Sequence, residues 1–115
     1  MHQFQKLTVW QKAMDLTVSL YEATQEFPDE ERYGLTSQMR RAAVSVPSNI
    51  AEGSGRNSNQ QFNYHIGVAA GSASELFTQV LLAKAFGYLS EKEEDTLNSE
   101  LSHIINMLHR LQESL

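Results

Sequence analysis

Two residues on a predicted helix, Glu100 and His103, have the spacing with which four-helix bundles bind iron. A di-iron centre requires two such Glu-x-x-His motifs and two further carboxylates, and this sequence contains the motif once. At about 100° of rotation per residue, His103 points about 120° away from the apolar stripe of its helix, toward solvent. The sequence therefore predicts no metal or other cofactor. The remaining histidines, His2, His65 and His109, are interpreted as surface or boundary residues.

Residue patterns for other catalytic chemistry are missing from the sequence. There are no cysteines, which excludes a thiolate metal site and a cysteine nucleophile. Gly53-x-Gly55 follows no predicted strand, so it is interpreted as a helix end rather than a phosphate-binding loop. No arrangement of serine, histidine and acidic residues marks an activated nucleophile. The sequence therefore predicts a protein that is not an enzyme.

A ribbon of polar residues runs along the second predicted helix at spacings of three or four residues. The members of this polar ribbon are Gln38, Arg41, Ser45, Asn49, Glu52 and Arg56. Glu52 and Arg56 stand in the order that favours an ion pair four residues apart. Arg41 lies about 16 Å along the axis from Glu52 and needs another partner, while Arg40 projects about 100° away from Arg41.

Three interpretations of the polar ribbon are open. It forms a network with a neighbouring subunit, it contacts RNA or DNA phosphate, or it faces solvent. In the second case the nucleic-acid-binding residues are Arg40, Arg41 and Arg56. The net charge of −5 opposes a generally basic surface, but residues 90–115 contribute −4 of it. The rest of the chain is nearly neutral and leaves room for a local positive surface.

Length and composition predict one globular domain over residues 1–115. Hydrophobic residues make up 41% of the 115 residues and charged residues 20%, with only two prolines. The first ten residues lack the apolar core of a signal peptide, and we expect no run to reach the length of a membrane span. We therefore expect a cytoplasmic protein that does not contact membranes.

The elements that position the polar residues are helices, because apolar residues recur at spacings of three and four. The first helix is predicted from about Leu7 to Glu26, where Pro28 ends it. The second begins with Thr36 as its N-cap and ends at Gly53 and Gly55. Pro47 lies inside the second helix, which predicts a kink or distortion there and an interaction that compensates for the lost hydrogen bond.

Two further helices follow, each opened by a capping-box pattern: Ser58 with Gln61, and Ser90 with Glu93. The third is the longest, at about 28 residues, and Gly87 ends it. Its apolar stripe is Phe62, Ile66, Ala69, Ala73, Leu76, Val80, Ala83 and Gly87. The fourth carries the stripe Leu97, Leu101, Ile104, Leu108, Leu111 and Leu115. Four helices with short connections predict an all-α fold, an antiparallel up-down-up-down four-helix bundle.

Helices 1 and 3 carry more apolar surface than one packing seam requires. In helix 3, Tyr64, Phe77, Leu81 and Leu82 lie off the main stripe. This excess either fills a wide bundle interior or marks an interface with other subunits. The excess supports a closed homo-oligomer.

The stretch from Gln38 to Arg56, QMRRAAVSVPSNIAEGSGR, resembles the signature of the four helix bundle protein family, also called the 23S rRNA intervening-sequence proteins. The resemblance continues through Leu7-x-Val9-Trp10, Tyr33-Gly34-Leu35-Thr36, Gly71-Ser72 and Gly87-Tyr88-Leu89. It implies a four-helix bundle that assembles as a homopentamer, with relatives encoded in insertions within ribosomal RNA genes. A related branch, similar to the accessory variability determinant of diversity-generating retroelements, implies binding to nucleic acid and a reverse transcriptase.

Two classes of function follow from the sequence. In the first, an oligomeric module binds structured RNA or DNA, or a nucleic-acid enzyme, through the arginines of helix 2. In the second, a structural oligomer binds a protein partner and no nucleic acid.

Overall fold

The computed structural model describes residues 3–115, so the predicted surface residue His2 lies outside the described part of the chain. Within that part there are four α-helices and no strand. They are α1 (Thr8–Thr24), α2 (Leu35–Ser54), α3 (Asn59–Ala85) and α4 (Glu91–Glu113). Short 3₁₀ turns at Phe4–Lys6 and Asp29–Glu31 precede α1 and α2. The predicted all-α fold and the four helices are confirmed.

Contacts between the helices establish their antiparallel order. Arg40 near the start of α2 bonds Thr24 at the end of α1. In the same way, Ser45 of α2 contacts Ser72 of α3, and Gly53 near the end of α2 lies against the first turns of α3. Each helix packs against its neighbours in sequence, and α1 also packs against α4. The result is a bundle of 43 × 24 × 19 Å with α1 diagonally opposite α3.

The core contains the predicted apolar stripes of α3 and α4 together with apolar residues of α1 and α2. The α3 stripe is buried from Phe62 to Ala83, whereas its predicted last member, Gly87, is exposed beyond the helix end. Leu97, Leu101, Ile104 and Leu108 of α4 are also buried. Leu111 and Leu115 pack against the core at its edge. From α2 the core takes Met39, Ala42, Ala43, Val46 and Ile50. These stripes meet along the bundle axis, which removes apolar surface from water over the length of each helix.

The helix ends match the capping predictions except at the start of α2, at Gly53, which lies within α2, and at Ser58, where only one bond of the predicted capping box forms. Ser90 and Glu93 form the complete capping box, and the Ser58 side chain accepts a hydrogen bond from the backbone of Gln61. Gly87 ends α3 with φ +83, in the left-handed conformation that glycine adopts most readily. The predicted N-cap Thr36 was wrong.

Gly34 stands at the N-cap of α2 without a side-chain hydrogen bond, and Thr36 is buried within the first turn. The physical reason is Glu31, whose carboxylate accepts the Leu35 backbone N–H at 3.1 Å and so replaces a hydroxyl cap. The same carboxylate accepts a hydrogen bond of 2.9 Å from the Tyr88 hydroxyl, which joins the α1–α2 and α3–α4 connections. That bond to Glu31 raises the pKa of Tyr88 above its ordinary value of 10.0. Tyr88 therefore remains a neutral donor at physiological pH.

Pro47 does not divide α2, which continues through it from Leu35 to Ser54. Proline has no N–H, so the Ala43 carbonyl four residues earlier loses its helical donor. The Thr17 hydroxyl of α1 lies 3.2 Å from that carbonyl and 2.8 Å from the Ala13 carbonyl of its own helix. Thr17 therefore supplies the expected compensation, by sharing its proton between the two carbonyls.

By length and composition α3 is apolar enough to cross a membrane, contrary to the expectation that no segment would be. Its apolar stripe faces the other helices of the bundle. A helix inside a bundle passes the same test as a membrane span, because α2 and α4 cover its apolar face.

Candidate nucleic-acid interface

The middle of the polar ribbon forms a hydrogen-bond network between α2 and α3. The Ser45 hydroxyl lies 2.8 Å from that of Ser72, and the Asn49 amide nitrogen donates to the Ser45 hydroxyl at 3.0 Å. The Asn49 amide oxygen lies 3.2 Å from Nδ1 of His65. Ser45 and Asn49 of the polar ribbon therefore bond to α3 of the same chain. None of the three interpretations of the ribbon predicted hydrogen bonds within the chain.

Arg40 is held between α1 and α2. Its Nε donates to the Thr24 hydroxyl at 2.9 Å, and an Nη donates to the Tyr21 carbonyl at 3.2 Å. The guanidinium stands over the Tyr21 ring, 4.4 Å from its centroid. A positive charge at the last carbonyls of α1 also stabilises that helix end. The geometry gives Arg40 a role in holding α1 against α2.

Arg41 and Arg56 are both exposed. Arg56 forms the predicted ion pair with Glu52, and both side chains remain about half exposed. Among residues 3–115 the other ion pair is Lys84–Glu94, so Arg41 belongs to none. Arg41 lines an open groove between α2 and α3 together with Glu75. These two arginines are the ribbon cations that a polyanion can reach.

A second groove lies beside the turn between α2 and α3. Its volume is about 570 Å³, and it is lined by Arg56, Gln60, Gln61, Tyr64 and His65. We call it the turn groove. Tyr64 is 68% exposed, and its ring stands edge-on to that of His65 at 5.3 Å. The sequence contains every member of this groove within ten residues, but no periodic or spaced motif marks it.

Charge is separated along the bundle axis. The half that contains the α2–α3 turn comprises residues 3–15, 45–72 and 102–115 and carries four basic side chains against three acidic ones. The other half comprises residues 16–44 and 73–101 and carries five basic side chains against eleven acidic ones. We call these the turn half and the acidic half. A polyanion is therefore repelled much less by the turn half.

This separation divides the three predicted nucleic-acid-binding arginines. Arg56 lies in the turn half, whereas Arg40 and Arg41 lie in the acidic half near its boundary. The acidic N-terminal segment of α4 contributes to the acidic half because antiparallel packing places it beside the end of α1. The arrangement brings Arg41 and Arg56 to the same α2–α3 face but not to one groove.

Two sets of large apolar side chains remain exposed, one on α1 and α2 and the other at the end of α3, which lies diagonally opposite α1. The first, patch A, comprises Met14, Val18 and Tyr21 of α1 with Val44 of α2. The second, patch B, comprises Leu81 and Leu82 of α3 with Phe86 just beyond it. Phe77, by contrast, packs against the core. The predicted excess of apolar surface is therefore partly inside the bundle and partly on its surface.

Glu100 and His103 are both exposed and line a shallow groove between α1 and α4 with Lys12 and Asp15. The predicted solvent-facing direction of His103 is confirmed. Among the described residues no group of three metal-binding side chains is positioned to share one ion.

Gly53 allows α2 and α3 to approach closely beside the turn groove. A Cβ built at Gly53 would lie 2.7 Å from the Cβ of His65 and 3.0 Å from a ring carbon of Phe62. The predicted helix-end role belongs to Gly55, which is the C-cap, whereas Gly53 is buried within the helix. The first atom that the new Cβ meets is close to the α3 backbone, so the helices themselves must separate.

We expect Gly53→Ala to lower the free energy of unfolding by about 1–2 kcal/mol, because overpacking outweighs the gain in helix propensity. Gly71→Ala is the matched control, since a Cβ there meets no atom within 4 Å. It should raise the stability by about 0.5–1 kcal/mol. Urea unfolding of both variants measures the two effects. Equal changes in the same direction would show that the close approach at Gly53 is unimportant.

Sequence reasoning missed the α3 half of this interface. Contacts with α2 place Ser72 and His65 in it, and exposure places Tyr64 there. Neither a contact with another helix nor exposure recurs at a regular spacing in the sequence. The signal that could have indicated them is the register of antiparallel helices joined by a short turn. Counting outward from that turn brings Asn49 opposite the first turns of α3.

The chain combines a four-helix bundle with a polar α2–α3 face. Comparison of its sequence with models of known protein families shows the class to which it belongs. Residues 5–110 match the model of the 23S rRNA-intervening sequence protein family. The chain belongs to this family. No match was found among curated protein sequences.

A solved structure has a similar fold. It is a protein of unknown function from the S23 ribosomal protein family of Bacteroides thetaiotaomicron VPI-5482. It superposes with a TM-score of 0.85 at 19% sequence identity, over 91% of this chain and 95% of that one. At this identity the likeness concerns the fold alone.

Proposed function

We propose that this protein is a non-enzymatic, ring-forming oligomer that binds RNA or DNA phosphate through Arg41 and Arg56. The observation that carries the proposal is the presence of two exposed apolar patches on different sides of one bundle. The pentamer implied by the family resemblance, and the relation to the accessory variability determinant, remain parts of this proposal.

Two different patches favour a ring over a symmetric dimer. In a twofold dimer the same surface of both subunits meets, so one patch is buried and the other remains in water. In a closed ring, patch A of each subunit contacts patch B of the next, so both patches are buried in every copy. Burial of apolar area drives such association at about 25 cal/mol per Å².

A ring also increases the local positive charge. Rotational symmetry places the same end of every subunit on the same face when the bundles run along the ring axis. The turn halves then share one face, and the acidic halves share the other. In a pentamer the five copies of Arg56 lie on the turn face, and the five copies of Arg41 lie near its boundary with the acidic face. This arrangement supports binding to a polyanion despite the net charge of −5.

We expect the wild-type protein to bind a labelled structured RNA at about 50 mM salt, and the affinity to fall steeply toward about 300 mM because phosphate contacts release counterions. The variant carrying Arg41→Glu and Arg56→Glu should lose this binding. Fluorescence anisotropy across the salt series measures both. Lys92→Glu, an exposed reversal of one basic charge in the acidic half, should bind like the wild type.

Circular dichroism and native mass must first show that each variant keeps its fold and assembly. Binding that is absent at low salt, or unchanged in the double variant, would remove nucleic acid from the proposal. The second candidate function, an oligomer with a protein partner, would then be favoured. The observation behind it is the acidic half, where eleven acidic side chains present a surface suited to a basic protein.

A further inference from the structure

The turn groove has the chemistry of a nucleotide site. Its lining combines a cation, Arg56, with an exposed aromatic ring, Tyr64. Two amides, Gln60 and Gln61, and the His65 ring complete it. Its volume of about 570 Å³ is that of a small-molecule site, which falls between about 300 and 1,000 Å³.

His65 is held in one orientation by the α2–α3 network. The Asn49 amide nitrogen donates to Ser45, to its carbonyl at 2.9 Å and to its hydroxyl at 3.0 Å. The Asn49 oxygen therefore faces the His65 ring, and Nδ1 of His65 is the nitrogen that donates to it. Nε2 makes no hydrogen bond to any described residue. The hydrogen bond from Nδ1 to Asn49 therefore orients the His65 ring in the turn groove, and Nε2 is free to bind a ligand.

Arg56 can exchange its partner for a phosphate. Its ion pair with Glu52 is weak, because the two side chains are 44% and 54% exposed. Arginine binds phosphate through two parallel hydrogen bonds. The exposed carboxylate of Glu52 does not hold the guanidinium rigidly, so the guanidinium can turn to a phosphate instead. The surrounding turn half is also the less acidic end of the bundle.

The exposed ring of Tyr64 offers a face on which a base can stack. Bases in a duplex stack on one another and present no free face, whereas an unpaired base stacks on an aromatic side chain. The side-chain amides of Gln60 and Gln61 offer both donors and acceptors to the edge of such a base.

We propose that the turn groove binds one unpaired nucleotide of a looped or single-stranded nucleic acid, with the base on Tyr64 and the phosphate on Arg56. The inference rests on the proposed nucleic-acid binding and adds a preference to it. A surface that only contacts phosphates does not distinguish a loop from a duplex, whereas a stacking site does.

The test uses fluorescence anisotropy with two labelled RNAs of equal length, a hairpin with an unpaired loop and a blunt duplex. We expect the wild-type protein to bind the hairpin about tenfold more tightly, in line with one base stacked on an aromatic ring. Tyr64→Ala should reduce hairpin affinity by about tenfold and leave duplex affinity unchanged. Tyr64→Phe, which keeps the ring, should preserve the preference.

Tyr33→Ala tests the groove of Arg41 in the same way, because Tyr33 is an exposed tyrosine, at 89%, and lines that groove in the acidic half. It should keep the hairpin preference. Equal affinity for both RNAs, or a hairpin preference that survives in Tyr64→Ala, would overturn the inference and leave the proposed phosphate binding intact. Failure of the wild type to bind either RNA at low salt would overturn the proposed nucleic-acid binding and the turn-groove site together.

Discussion

Leu108→Asp should unfold the protein. Leu108 has no solvent exposure, and it lies in the α4 stripe that faces the core. The substitution removes a large buried side chain, which costs about 2–5 kcal/mol, and places an unpaired carboxylate in its position, which adds a desolvation cost. The sum is comparable to the stability of a typical domain, about 5–15 kcal/mol. Loss of the helical circular dichroism signal at 25 °C measures the effect.

Leu81→Asp is the control for this prediction. It places the same side chain on a neighbouring helix at a position that is 44% exposed, where the carboxylate reaches water. We expect this variant to keep its helix content. If Leu108→Asp melted at the same temperature as the wild type, the assignment of the inner face of α4 would be wrong.

Val18→Asp should dissociate the oligomer and preserve the fold. Val18 belongs to patch A and is 57% exposed in one chain, so a carboxylate there is solvated in the monomer but buried in the proposed ring. Leu81→Asp should have the same effect through patch B. Size-exclusion chromatography with light scattering at micromolar concentration measures the mass of each variant, and each should elute as the 13.0 kDa chain.

Mixing the two variants tests how the patches pair. Each variant keeps one intact patch, so an equimolar mixture should form a dimer of about 26 kDa in which patch A of one contacts patch B of the other. Ser19→Asp, an exposed change one residue from Val18 and outside the patch, should leave the wild-type mass unchanged. A mixture that stays monomeric would show that the patches do not contact each other.

The fold could be predicted from the sequence because its determinants are local. The α4 stripe and the Ser90–Glu93 capping box each depend on residues at most a few positions apart, and the structure reproduces both. The ion pair of Glu52 with Arg56 is local in the same sense. The prediction of Thr36 as the cap was wrong because the Glu31 carboxylate, from the preceding turn, accepts the Leu35 backbone N–H at that helix end.

The candidate site could be predicted only in part because its partners come from other helices. The sequence indicates Arg40 and Arg41 equally, but only packing shows that Arg40 bonds the end of α1. Likewise Thr17 of α1 bonds the carbonyl that Pro47 leaves without a donor, and no spacing in the sequence pairs these two residues. The axial separation of charge depends on which helix ends lie together, and a count along the chain does not show it.

Native mass spectrometry of the wild-type protein at micromolar concentration and moderate salt tests the central claim, that this bundle assembles into a ring, most directly. Two exposed apolar patches on different sides of the chain predict a closed assembly, and the family resemblance predicts five copies. The expected spectrum contains one dominant species of about 65 kDa, five times the 13.0 kDa chain. A dominant species of 13.0 kDa would contradict the account.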